Sequence, residues 1–381
     1  MSVDDAENLI KDYAADCSMC GDCLEICPML DELGLTPGEI AQAVLEDRVG
    51  ETTLAAIQRC DLCGRCARDC ALDLYPSHLI KAAREVLVQK GQIHIEDYDV
   101  MLVDRDWNFF TLYRESNGIH YDDLKAEHAE RIFFPGCTLA SYAPELTRAA
   151  FSWLKDQGTS IGFTDLCCGK PLDSLGLSAA TERNLDHLRQ QITSLGAREL
   201  ITACPNCHAH LQTAHLPGVT VRSIYAMLLE AGVQLSGNQT LTFHDSCPDR
   251  ENDENPTHIR TLLGGYPQVE MAHHGKDTIC CGSGGIVSTI DPDLATKRAM
   301  LRMAEYTASG ADTCVTSCMA CSQRLARVSA PSQVRHCLEY VFNIQIDYAQ
   351  VERNTQALWE GSQGEVNLQR LANARVMPLK E

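Results

Sequence analysis

Eight cysteines near the N-terminus fall into two groups with the same spacing, C-x2-C-x2-C-x3-C. The groups are Cys17, Cys20, Cys23 and Cys27, then Cys60, Cys63, Cys66 and Cys70. This spacing is typical of a pair of cubane [4Fe-4S] clusters, because three thiolates on one tight turn bind one cube while the fourth cysteine reaches the other. The predicted ligand sets are therefore Cys17, Cys20, Cys23 and Cys70 for one cluster and Cys60, Cys63, Cys66 and Cys27 for the other.

A pair of zinc knuckles is the alternative for these eight cysteines. Zinc sites take four ligands as paired C-x-x-C or Cys/His groups and have no use for a run of three cysteines. Proline follows the first group at Pro28, whereas Ala71 follows the second. Because this proline only shapes the exit of the loop, its absence leaves the predicted ligands unchanged.

Ten further cysteines form two sets of five in the rest of the chain. The first set is Cys137, Cys167, Cys168, Cys204 and Cys207, and the second is Cys247, Cys280, Cys281, Cys318 and Cys321. Five thiolates exceed what a four-coordinate zinc ion uses, so the surplus indicates an iron-sulfur assembly that is larger or less symmetric than a cube. Glycines beside these cysteines, such as Gly136 and Gly282, either allow close backbone approach or simply form turns.

The two sets belong to an internal repeat. Cys137 corresponds to Cys247, the first adjacent cysteine pair to the second, and Cys204 to Cys318, at offsets of 110, 113 and 114 residues. Each copy alternates short apolar runs before the cysteine groups with amphipathic helices such as residues 144–157, which favours α/β layers with a parallel sheet. We therefore predict tandem α/β domains at 131–236 and 237–350.

The N-terminal residues 1–91 have helical patterns throughout. Thr36 and Glu39 form a capping box, which predicts one helix between the two cysteine groups that continues to Gly50. A second helix is expected from Pro76 to Lys90. The fold class is thus α + α/β: an all-α ferredoxin-like domain at 1–91, a connecting segment at 92–130, the two α/β domains, and a polar tail at 351–381.

Composition narrows the possible partners. The formal net charge is -20, which argues against nucleic acid or an anionic membrane as the main ligand. The N-terminus lacks the pattern of a secretory signal, and no apolar run is long enough for a membrane span. We expect a cytoplasmic protein with reduced thiols, which would reach a membrane only through a partner protein and not by direct insertion.

The paired five-cysteine motifs resemble the CCG domains of heterodisulfide reductase. With the ferredoxin-like segment in front, residues 1–340 are similar to the D-type chain of that family, which corresponds to its C-type and B-type chains joined in one. The resemblance implies an iron-sulfur oxidoreductase, one component of a complex, in which two cubane clusters deliver electrons to noncubane [4Fe-4S] clusters that reduce a disulfide. The ten cysteines of the two sets would then be both metal ligands and catalytic residues.

The first five-cysteine site departs slightly from the family pattern. The gap of 29 residues after Cys137 is shorter than usual, so a zinc ion or an ordinary cube that uses four of its five thiolates stays open there. In the second copy, Met319 and Ala320 replace the common pair that contains proline.

A second function follows from the same domains. CCG domains also occur in iron-sulfur proteins that serve flavoprotein dehydrogenases of 2-hydroxyacids or glycerol 3-phosphate, so an electron-transfer component that leads to a quinone pool is the alternative. No nucleotide-binding glycine motif is present. The expected partner is therefore a flavoprotein, a cytochrome b or another redox protein, with small-molecule disulfides or thiols as candidate substrates.

Two cysteines and a few histidines remain. Cys314 and Cys337 are expected in the core, the latter on a helical face with Val334, Leu338 and Val341. Three histidines near the five-cysteine sets are candidates to hydrogen-bond a cluster sulfur or to deliver protons: His208, His210 and His244. The pair His273 and His274 is expected in a solvated loop.

Overall fold

The computed structural model describes residues 2–158, 160–330 and 332–379. Within them, α-helices and short parallel strands make up the chain, and no helix is both long and apolar enough to cross a bilayer. The cysteines of the predicted ligand sets lie in three parts of the molecule: the helical N-terminal part, the first repeat copy and the second repeat copy.

The N-terminal part is all-α, as expected. Its helices are α1 (Val3–Asp16), α2 (Asp22–Ile26), α3 (Pro28–Leu33), α4 (Pro37–Leu45), α5 (Glu51–Gln58), α6 (Arg65–Arg68) and α7 (Pro76–Gln89). The predicted capping box at Thr36 is present, and α7 begins at Pro76 as predicted. The single helix expected to continue to Gly50 is wrong, because α4 ends at Leu45 and α5 begins at Glu51.

Helices α1, α4 and α7 enclose an apolar core that includes Ile10, Ile40 and Leu79, all fully buried. The two cysteine loops project from this core with matching backbone conformations. Met19 and Leu62, which occupy equivalent positions, both have a left-handed φ, of 56° and 54°. A non-glycine residue in this region costs about 1 kcal/mol or more, and such strain is concentrated at functional sites.

The first copy is built on a parallel sheet, which confirms the expected layer type. Its strands are β1 (Arg131–Phe134), β2 (Ile161–Phe163), β3 (Glu199–Thr202) and β4 (Thr220–Ser223), in the order β2-β1-β3-β4. Its helices are α9 (Cys137–Tyr142), α10 (Pro144–Asp156), α11 (Lys170–Ser174), α12 (Ser178–Leu195), α13 (Pro205–Thr213) and α14 (Ile224–Glu230). Because parallel strands end at one edge, the cysteines that follow them meet there.

The second copy has the parallel sheet β5-β6-β7. Its strands are β5 (Leu241–His244), β6 (Thr313–Thr316) and β7 (Val334–His336). Its helices are α15 (Glu254–Leu262), α16 (Val287–Ile290), α17 (Pro292–Ser309), α18 (Met319–Ala326) and α19 (Cys337–Phe342), with a 3-10 helix at Cys247–Arg250. The strand expected before Cys280 is wrong. Only a single bridge joins Leu241 to Gln268, beside Pro267, which has no N–H for a strand ladder.

The connecting segment and the C-terminal tail pack together. The segment contains α8 (Phe109–Ser116) and 3-10 turns, and the tail forms α20 (Tyr348–Ala357) and α21 (Gly361–Ala372). Tyr113 shares a buried cluster with Val351 and Leu358 of the tail. The sequence predicted only a polar tail here, because the few apolar side chains of this segment are widely spaced between polar ones.

Arg84 of α7 joins the three parts of the molecule. Its side chain is 2 % exposed and donates hydrogen bonds to backbone carbonyls of Cys60 (2.7 Å), Ser174 (2.6 Å) and Gly285 (3.3 Å). These acceptors belong to the helical part, the first copy and the second copy. A buried guanidinium needs every donor paired, so this residue fixes how the parts dock.

A second contact, between the helical part and the first copy, should make the free energy of unfolding depend on pH. Asp173 of α11 forms ion pairs with Lys81 of α7 and with Lys170. Burial alone would raise the pKa of Asp173, but the two lysines override it and hold the pKa well below its usual range. Because the folded-state pKa is lowered, the stabilisation is present above about pH 4 and is lost as the pH falls further.

Replacement Asp173→Asn is therefore expected to lower the free energy of unfolding by about 1–2 kcal/mol at neutral pH. The measurement is urea unfolding of both proteins at pH 7 and at pH 3, where the difference should be smaller than at pH 7 because the stabilisation declines as the pH falls toward the lowered pKa of Asp173. Asp122→Asn is the matched control, since Asp122 pairs with Lys125 at the same i,i+3 spacing on an exposed surface. An equal effect of both variants would contradict the role of Asp173.

Candidate metal centres

The second predicted ligand set of the N-terminal part lines one cavity. Cys27, Cys60, Cys63 and Cys66 all face it, together with apolar side chains such as Ile80. The cysteine from the first group thus lies with three from the second, which is the exchange that the spacing predicts. Burial raises the pKa of Cys60 to about 11, so this thiol needs a bound cation to ionise near neutral pH.

The first predicted set lies nearer the surface. Tyr13 of α1 has a raised pKa, first because it is buried and then because thiolates at Cys17 and Cys70 lie near it. Cys20 is exposed, whereas Cys17, Cys23 and Cys70 are half-buried. Cys20 is thus the most accessible of the eight cysteines in the helical part.

Two arginines flank the cavity of the second set. Arg298 of α17 is 5 % exposed, forms an ion pair with buried Asp61, and has Nη2 3.8 Å from Cys27 Sγ. Arg84 donates to the Cys60 carbonyl, as described above. Positive charge close to thiolates stabilises added negative charge, so it favours acceptance of an electron at this set.

The five cysteines of the first copy converge at the carboxyl edge of its sheet. The Sγ atoms of Cys137 and Cys167 are 4.0 Å apart. The pKa of Cys168 is raised to about 12, first by a hydrogen bond with Cys167 and also by burial, and it neighbours Cys207. Gly136 is needed here, because a Cβ at its positive φ would lie 2.9 Å from Cys204 Cβ.

The five cysteines of the second copy also converge. Cys281 Sγ lies 3.1 Å from Cys321 Sγ, and Gly282 donates its N–H to Cys280 Sγ at 3.3 Å. A hydrogen bond from Cys280 is the first reason that the pKa of Cys247 is held well below its usual value. The donor set of each copy is thus a group of closely spaced thiols with glycine backbone beside them, which suits thiophilic iron.

The thiol groups of the three parts also contact one another. A hydrogen bond with Cys204 of the first copy is the first cause that raises the pKa of Cys318 to about 12. Cys63 of the helical part lies beside Cys247 and Cys280, and its interaction with Cys247 is the first reason that its pKa is raised to about 11. All twenty cysteines are free. The cysteines of the helical part thus neighbour those of the second copy, which in turn neighbour those of the first.

The remaining cysteines lie in the core, as expected. Cys314 and Cys337 are fully buried. The helical face proposed for Cys337 is wrong in one respect, because Val334 lies on β7 and Cys337 begins the following helix.

The candidate histidines have different surroundings. His208 pairs with Thr202 at 2.9 Å, whereas His210 is half-buried and lies close to Cys168. His244 lies with Cys281 and Cys321. His273 is not simply solvated, because it pairs with Glu305.

Sequence reasoning missed the buried arginines. Arg84 follows Ile80 by four residues and precedes Leu87 by three, so it lies on the apolar face of α7. That position was the available signal, since a charged residue on a buried helical stripe needs a partner. Arg298 and Arg302 lie similarly among buried residues of α17.

Comparison with known proteins identifies two kinds of domain in the chain. A 4Fe-4S dicluster domain matches residues 6–74, and the cysteine-rich CCG domain matches twice, at residues 132–212 and 241–326. The expected fold class is confirmed by this order of domains together with the parallel sheets.

Three proteins that match about four fifths of this chain are subunits of reductases. The D subunit of the dihydromethanophenazine:CoB–CoM heterodisulfide reductase of Methanosarcina mazei is 25% identical over 362 residues, which cover 81% of this chain and 87% of the relative. The corresponding protein of Methanosarcina acetivorans is 24% identical over the same shares. The B subunit of the fumarate reductase (CoM/CoB) of Methanothermobacter marburgensis is 22% identical over 80% of this chain and 66% of its own length.

Proposed function

We propose that this chain, which has a 4Fe-4S dicluster domain ahead of two CCG domains and is similar to D subunits of heterodisulfide reductases, is the electron-transfer and disulfide-reducing component of an oxidoreductase complex. One observation carries this proposal. The thiols of the helical part contact those of the second copy through Cys63, and the two copies contact each other through Cys204 and Cys318.

The residues fit four iron-sulfur centres. The two mixed sets of the helical part, Cys17, Cys20, Cys23 and Cys70 and then Cys60, Cys63, Cys66 and Cys27, would hold cubane clusters, and each five-cysteine set would hold a noncubane cluster. When bound, such clusters supply electrons singly, and a neighbouring pair supplies the two that cleavage of a disulfide requires.

The residues around the sets determine the direction of transfer in this proposal. The exposure of Cys20 supports a surface position for the first set, where a flavoprotein, a cytochrome b or another redox partner would dock. Arg84 and Arg298 favour electron acceptance at the second set, which lies against Cys247 and Cys280. Electrons would thus move from the surface set to the second set and then to the second copy.

Metal analysis of anaerobically purified protein tests the four centres. Four clusters of four irons predict about 16 irons per chain and no zinc. Zinc together with about half of that iron would contradict redox centres in the CCG domains. Zinc equivalent to one ion, with about 12 irons, would assign the first copy to the zinc alternative that its short gap left open.

Disulfide chemistry is tested separately by electron paramagnetic resonance. We expect a new signal when the protein is oxidised in the presence of the thiols CoM or CoB, since a thiolate product would bind beside Cys204 and Cys318. Reduction of the CoM–CoB heterodisulfide by a reduced viologen dye should accompany it. No thiol-dependent signal, alongside rapid exchange with a flavoprotein dehydrogenase, would contradict the proposal and favour the electron-transfer alternative.

A further inference from the structure

One buried imidazole of the second copy lies beside the thiols of its five-cysteine set. His244 is the last residue of β5 and is 1 % exposed. One of its ring nitrogens lies within 4.8 Å of the Sγ atoms of Cys281 and Cys321. Its Nε2 is buried and has no hydrogen-bond partner. A buried polar atom without a partner needs an acceptor, and the thiolates are the acceptors within reach.

Arg302 fixes the orientation of this imidazole. It is fully buried, and its Nε donates to His244 Nδ1 at 3.0 Å. The other guanidinium nitrogens bind the carbonyls of His273 and Phe243, at 2.6 Å and 3.1 Å, and the carboxylate of Glu305. Because an arginine only donates, Nδ1 must be an acceptor, and the proton of the neutral ring lies on Nε2. The ring therefore presents an N–H donor on the side of the cysteines.

The first copy lacks both members of this pair. At the offset of 110 residues, His244 corresponds to Phe134, and at the offset of 114 that relates α12 to α17, Arg302 corresponds to Leu188. Phe134 and Leu188 are both fully buried. The fold of a copy thus accommodates an apolar pair at these positions, so the polar pair in the second copy is not required by the fold.

We propose that Arg302 and His244 act as a positioning pair that directs one N–H donor at the thiolates of Cys281 and Cys321 and so raises the reduction potential of the second five-cysteine centre. This inference rests on the proposed function, since it concerns the centre that those cysteines would hold. A hydrogen bond to a cysteine thiolate stabilises the additional negative charge of the reduced centre.

Two observations agree with this role. Cys281 Sγ is 3.1 Å from Cys321 Sγ, so one imidazole nitrogen beside this pair can reach both thiol groups. The second copy is also the one whose cysteines contact Cys63 of the helical part. The centre whose potential the pair would raise is therefore the one that lies beside the helical part.

Redox titration followed by paramagnetic resonance tests the pair. In His244→Phe, which installs the residue of the first copy, one noncubane centre should become harder to reduce by about tenfold in its one-electron equilibrium, or about 59 mV. The other three centres should keep their potentials. Arg302→Leu should move the same centre in the same direction, and the double variant should move it no further than His244→Phe, because arginine acts through histidine.

Two further variants distinguish the loss of a hydrogen bond from a general effect of altered packing. His244→Gln retains an N–H donor and should recover part of the shift. His208→Phe is the matched control, because His208 is also buried with a free Nε2 but pairs with Thr202, and its replacement should shift no centre.

Unshifted potentials in both His244→Phe and Arg302→Leu would overturn the inference, as would an equal shift of all centres. Loss of one centre's iron in both His244 variants would overturn it too, by making His244 a ligand. If His244→Phe alone loses iron, unshifted potentials in His244→Gln and Arg302→Leu overturn it in the same way. Wild-type protein without iron would overturn the proposed function itself, and the inference with it.

Discussion

Alanine at Cys280 or at Cys281 is expected to remove one of the four proposed centres and to abolish the proposed disulfide reduction. Cys280 lies at the junction of the second copy and the helical part, because it contacts Cys247, Cys281 and Cys63. Cys281 Sγ is 3.1 Å from Cys321 Sγ. Either replacement removes a thiolate from the middle of the set, where neither backbone nor solvent offers a substitute. Iron should fall by about 4 of 16, since one four-iron cluster is lost.

The matched control is Cys314→Ala. Cys314 is also fully buried in the second copy, on β6, but it packs in the apolar core and belongs to none of the four predicted ligand sets. We expect full iron, an unchanged visible spectrum and a loss of stability of about 1 kcal/mol for the small cavity.

Iron analysis, the visible spectrum and the rate of CoM–CoB heterodisulfide reduction by a reduced viologen dye provide the measurements. Retention of the spectrum and of turnover in Cys280→Ala and Cys281→Ala would refute the assignment of these cysteines. Equal losses in Cys314→Ala would show that the effect comes from the fold and not from the ligands.

The sequence predicted those features whose cause is local. The capping box at Thr36 and the proline at Pro76 determine where helices begin, and both helices are present. The grouping of Cys27 with Cys60, Cys63 and Cys66 follows from spacing in two loops that share one backbone conformation. The parallel sheets follow from alternating apolar runs and helices, which repeat in both copies.

Features that depend on docking between distant segments could not be predicted in this way. Arg84 is 90 residues from Ser174 and 201 from Gly285, and its role emerges only when all three parts are in place. The polar pair of His244 and Arg302 joins a strand to a helix 58 residues later. No periodic pattern relates such positions, and an arginine on an apolar face indicates only that some partner exists.

Gly285→Ala is expected to break the electron path without removing any ligand. Gly285 follows the Cys280–Cys281 pair and has a φ of +57°, and a Cβ there would overlap the Cys60 carbonyl oxygen and lie 2.7 Å from Asp61 Cα. Both contacts are with backbone, so no flexible side chain can move aside. The loop of the second copy must therefore retreat from the cysteine loop of the helical part, at a cost of about 1–3 kcal/mol beyond the cost of the left-handed backbone.

Gly275→Ala is the control that separates the cost of the backbone clash from the cost of alanine in a left-handed conformation. Gly275 has nearly the same φ, +54°, but a Cβ there has no atom within 4 Å. Both variants pay about 1 kcal/mol for alanine in a left-handed conformation. Only Gly285→Ala should slow the transfer of electrons from the helical part to the five-cysteine centres, by about tenfold if the displaced loop adds about 1.4 kcal/mol to the barrier. This step can be measured by stopped-flow reduction of variants whose iron content has been verified. Equal rates in the two variants would mean that electrons do not pass through the contact of Cys63 with Cys247 and Cys280.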